Sequence, residues 1–62
     1  MNKDELTTYI YNNMSQYRPS NTTLATKHAE SFWRVFETKL VSNDIDIIDL
    51  LDTFIENTFK RQ

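Results

Sequence analysis

Residues 42–59, SNDIDIIDLLDTFIENTF, decide how this chain folds. Placed around a helix at 100° per residue, Ile48, Leu51, Ile55 and Phe59 form one apolar stripe. Ile47, Leu50 and Phe54 form a second beside it, and the two together span about 200°. A surface helix of an ordinary globular domain needs a stripe of roughly 100° or somewhat more. The third helix, expected over about residues 45–60, therefore has two surfaces to satisfy. The remaining sector carries Asp46, Asp49, Thr53, Glu56, Asn57 and Lys60, with Asp52 at its border, and reads as solvated.

Working outward, the rest of the chain is also helical in pattern. Glycine is absent and Pro19 is the single proline, so the punctuation that strands and tight hairpins require is missing. A first helix is expected over about 3–17. Asn2 and Glu5 have capping-box spacing, Asp4 and Glu5 suit the positive end of the helix dipole, and Leu6, Ile10, Met14 and Tyr17 recur at three- and four-residue intervals. Pro19 restricts Arg18 and ends that helix nearby.

The polar run 19–23, PSNTT, supplies N-caps for a second helix over about 22–41. Its apolar residues fill half the circumference, with Trp33 and Leu40 at one edge and Leu24 and Val35 at the other. Ser42, Asn43 and Asp44 break the pattern. With no glycine available, Asn43 is the residue suited to a left-handed stop, and Asp44 or Ser42 to capping the third helix. Lys60 and Arg61 complement the negative end of that helix. The fold class expected is all-α: a small three-helix bundle forming a single helical domain over 1–62.

The bulk properties bound function. A chain of 62 residues buries only about 60% of the surface it exposes when unfolded and needs extra support. Cysteine is absent and there is one histidine, so neither disulfides nor a structural zinc supply it. Self-association, most simply as a dimer, is the remaining source, and Ile47, Leu50 and Phe54 are the residues expected to carry it. A competing reading makes the third helix the central element, flanked by the other two, with both stripes buried in one copy. The edge residues Tyr11, Trp33 and Leu40 are candidates for contact with a protein partner, since large aromatic and aliphatic groups are enriched at interface cores.

No catalytic chemistry is legible. The carboxylates of the third helix have no histidine partner or Glu-x-x-His motif, and a glycine-free chain cannot form a phosphate-cradling loop. No cofactor is expected, and the function expected is that of a non-enzymatic regulator or adaptor. The rival reading is a nucleic-acid-binding regulator, with Thr22, Thr23 and Lys27 opening a recognition helix, and Arg18 and Arg34 beside them. A net charge of −2 and dispersed basic residues weaken it. No apolar run reaches the ~20 residues a membrane span requires. The polar, acidic start of the chain and the lack of cysteine point to the cytoplasm. Richness in asparagine, isoleucine and threonine suggests a bacterial or phage origin.

Overall fold

The computed structural model describes residues 1–60 and contains three helices, α1 (Lys3–Met14), α2 (Thr22–Val41) and α3 (Ile47–Phe59), forming a small all-α three-helix bundle. Residues 61 and 62, and with them the dipole role expected of Arg61, lie outside the described residues. The caps of the first two helices are local in origin. At α1 the Asn2 side chain accepts from the Glu5 amide at 2.7 Å while the Glu5 carboxylate accepts from the Asn2 amide at 2.9 Å, a complete capping box. At α2 the Asn21 side chain accepts from the Leu24 amide at 3.0 Å.

The α2 C-terminus closes as a Schellman motif without glycine. Asn43 takes a positive φ of 54°, its amide reaches the Leu40 carbonyl at 3.3 Å, and the Asp44 amide reaches the Lys39 carbonyl at 3.0 Å. The α-amino group of Met1 donates to both the Leu40 carbonyl and the Asn43 side-chain oxygen, each at 2.8 Å, which ties the start of the chain to this turn.

Two boundaries differ from the sequence expectation. The first helix stops at Met14, short of residue 17, because the turn after it tightens: the Gln16 and Tyr17 amides bond to the carbonyls three residues back, Asn13 and Met14. The third helix begins at Ile47, after residue 45. Asp46 bounds it without a side-chain cap bond, and Asp44, which accepts from the Asp46 amide at 3.0 Å, caps that preceding turn instead.

The core consists of Leu6, Ile10 and Met14 from α1, Ala25, Ala29, Phe32 and Leu40 from α2, and Ile47, Leu51, Ile55 and Phe59 from α3. The two alanines of α2 stand four residues apart and let α1 approach closely, so α1 and α2 share the tightest backbone contact, with α3 further from both. Between α2 and α3 the gap is filled by rings. Phe32 meets Phe54 at a centroid distance of 5.1 Å, and His28 meets Phe54 at 6.0 Å and Phe59 at 5.3 Å, both edge-on. Edge-on and tilted ring pairs are worth about 0.5–1.5 kcal/mol each beyond area burial.

Two expected surface residues belong to this core. Ile47, read from sequence as part of the outer stripe, is 2% exposed, whereas its neighbour Ile48 is 39% exposed. The packing ridge of α3 is the strict four-residue row Ile47, Leu51, Ile55, Phe59, which places Ile48 on the flank. Leu40, expected at a partner-facing edge, is fully buried. On a regular wheel Leu40 stands within about 20° of the buried Ala29, so the edge of α2 that it marks is one that packs inward.

Candidate association surface

The residues left uncovered on the α2–α3 side define a surface. On the α2 wheel Leu24, His28 and Val35 lie within about 40° of one another, outward of the buried face and toward α3. On α3, Leu50 lies next to Phe54 on the side toward α2. Leu24, His28 and Phe54 are half-buried, Leu50 is 39% exposed and Val35 is 71% exposed. The ring contacts fix the register: Phe32 lies opposite Phe54, and the chain directions oppose, so Val35 stands near the level of Leu50. An apolar strip thus runs over the outside of the α2–α3 seam.

Of the three residues expected to carry self-association, the structure leaves Leu50 and part of Phe54 on this strip and withdraws Ile47 into the core. Val35 replaces it. Sequence reasoning places Val35 at an edge of α2, and what it lacks is the register that sets Val35 beside Leu50. A second exposed apolar group, Val41, Ile45 and Ile48, lies around the α2–α3 turn. Among the partner-contact candidates Tyr11 is 39% exposed and Trp33 is partly buried against the core.

The charges bordering the strip are sorted by helix. Lys27, Arg34 and Lys39 of α2 are exposed, and among the described residues none makes an ion pair. Glu30 of α2 faces α1, where its carboxylate lies 4.0 Å from the Lys3 ammonium; Glu37, beyond the non-helical Phe36, is exposed and unpaired among the described residues. On α3, Asp52 turns to α1 and accepts from the Tyr9 hydroxyl at 2.5 Å, while Glu56 pairs with Lys60 at 3.3 Å. Asp46 and Asp49 are left exposed and unpaired among the described residues.

Two groups titrate away from their ordinary values. The hydrogen bond to Asp52, with smaller contributions from burial and from the Asp52 charge, pushes the Tyr9 phenol up to about 12. The His28 imidazole is pushed down by its burial among the phenylalanines and, secondarily, by the adjacent Lys27 charge.

The residues of the nucleic-acid reading are only partly brought together. Thr23, Lys27 and Arg34 share the outer ridge of α2 and are exposed, but Thr22 lies toward α1, in a shallow trough with Thr7, Thr8, Tyr11 and Ala25. Arg18 is half-buried in the turn, with its Nε enclosed and without a hydrogen-bond partner. The surface depressions are open troughs, and no group of three or more His, Asp or Glu residues able to hold a metal occurs among the described residues. No helix among the described residues is long and apolar enough to cross a membrane.

Comparison with protein-family models, with curated proteins and with solved structures finds no match for this chain.

Proposed function

We propose that this chain is a non-enzymatic association protein, a small cytoplasmic regulator or adaptor that forms a dimer through the outer face of α2 and α3 and in that form engages a macromolecular partner. One observation carries the reading: Val35 and Leu50 stand at one level on adjacent helices, 71% and 39% exposed, over a seam already built from aromatic side chains. Covering a large aliphatic side chain is worth roughly 1.5–3 kcal/mol, and a two-fold contact covers each residue twice. Tyr11 and Trp33, on other parts of the surface, remain for a protein partner.

Sedimentation across a concentration series tests it. The unaltered chain is expected to pass from monomer to dimer, and Val35→Asp with Leu50→Asp to stay monomeric while retaining its helical circular dichroism. A chain that is monomeric at every concentration overturns the proposal. These exposed positions are better probes than Phe54, whose replacement would also remove the contacts to Phe32 and His28.

The alternative of a nucleic-acid-binding regulator draws on the exposed ridge of Thr23, Lys27 and Arg34. It requires retention of DNA or RNA at low salt and a steep loss of affinity as salt rises. Absence of retention at low salt removes it.

A further inference from the structure

We infer that the partner seated on the α2–α3 face is a second copy of this chain placed with α2 of each copy over α3 of the other, about a two-fold axis running parallel to the helices. The inference rests on the association reading above and adds the arrangement to it. Two antiparallel helix pairs can be stacked face to face by two-fold symmetry in two ways. An axis lying across the helices puts α2 on α2 and α3 on α3. An axis along the helices puts each α2 on the partner's α3. The apolar strip does not choose between them, because Val35 and Leu50 are covered in both.

The charges choose. Toward the C-terminal end of α2 the border of the face is cationic, through Arg34 and Lys39, while the α2 carboxylate Glu30 is drawn toward α1 by Lys3; at the other end Lys27 stands level with the already paired Glu56 and Lys60. The α3 side is anionic at the same end, through Asp46 beside Leu50 and Asp49 on the outer flank, while Asp52 is turned toward Tyr9. Stacking like helices about the level of Val35 and Leu50 would set Arg34 near Arg34 and Asp49 near Asp49. Stacking unlike helices sets each cationic border on an anionic one, twice by symmetry.

Levels along the axis agree. An axis parallel to the helices preserves height, so the register within one copy is the register between copies. With Phe32 opposite Phe54, Arg34 and Lys39 stand level with the stretch from Ile47 to Asp52, which contains Asp49 and adjoins Asp46. Val35 of one copy then lies over Leu50 of the other at the centre of the contact. A standard interface takes about 800 Å² from each partner. That is about a fifth of the 4207 Å² surface of this chain, an area the faces of two helices can supply.

Charge reversal tests the arrangement by sedimentation or light scattering, with circular dichroism as the check on folding. The α2 variant Arg34→Glu with Lys39→Glu, and separately the α3 variant Asp46→Lys with Asp49→Lys, should each weaken the dimer by at least about tenfold. Combining all four substitutions in one chain should restore dimerisation to near the original, because the two borders are again opposite. If the unaltered chain dimerises but neither block of substitutions weakens it, the arrangement is wrong and the association reading stands. If the combined variant folds and fails to recover, the arrangement is likewise wrong. A chain that never dimerises overturns both.

Discussion

Asn43 is the residue on which the α2–α3 turn depends. Its left-handed conformation costs an ordinary residue about 1–2 kcal/mol, and asparagine tolerates it better than most. Asn43→Ala is expected to lower stability by about 1–2 kcal/mol in denaturant unfolding. Asn43→Gly should lose less, since glycine relieves the backbone but forfeits the side-chain oxygen that accepts from the Met1 amine. His28 gives a pH dependence of defined sign. Its pKa in the fold lies below the ordinary 6.5, so its contribution to stability is complete above that value and is lost as pH falls through the window beneath it. The thermal midpoint should therefore fall more steeply on acidification in the unaltered protein than in His28→Gln. Tyr9 works in the opposite direction. With its phenol at about 12 against an ordinary 10, its contribution is complete below pH 10 and is lost between 10 and 12. A phenolate absorbance titration should find one tyrosine ionising last, and Tyr9→Phe should remove that step.

At the scale of the element, the core row of α3 makes a sharp contrast between adjacent isoleucines. Ile47→Ala should destabilise by about 2–3 kcal/mol, at the low end for a buried aliphatic because the site is at a helix start, and Ile48→Ala by about 1 kcal/mol or less. Chemical denaturation of the two variants measures the difference directly. The same pair marks where sequence reading reaches its limit. The Asn2–Glu5 box, the polar caps before α2 and the left-handed Asn43 are legible because each is a short-range preference acting within a few residues. Ile47 and Ile48 both lie in an apolar arc, and which of them enters the core depends on how α3 is rolled against its neighbours, a tertiary fact. Leu40 is illegible for a related reason: it stands at an edge of the apolar arc of α2, beside Ala29, and whether that edge meets a neighbouring helix or solvent is again a tertiary fact. On the candidate surface, Leu50 emerges from periodicity alone, whereas its pairing with Val35 needs the ring-to-ring register.

For the molecule as a whole, a 62-residue chain with 11 buried apolar residues among the described ones has a small core, and the proposed dimer would couple its folding to association by mass action. The thermal midpoint is expected to rise with protein concentration, and the Val35→Asp, Leu50→Asp variant to show a midpoint independent of it. A second global property arises from the unequal seams. Where Ala25 and Ala29 admit α1, two helices lie close and dense; where Phe32, Phe54 and His28 intervene, α3 is held at a distance by a few large plates. Breaking a dense seam requires prising apart many small contacts at once, but a plated one gives way when a few rings slip. Hydrogen–deuterium exchange should therefore find the α3 amides opening at lower free energy than those in the middle of α1 and the first half of α2. The loosest of the three helices would then be the one that carries Leu50, leaving it free to adjust its seating when another body presses against it.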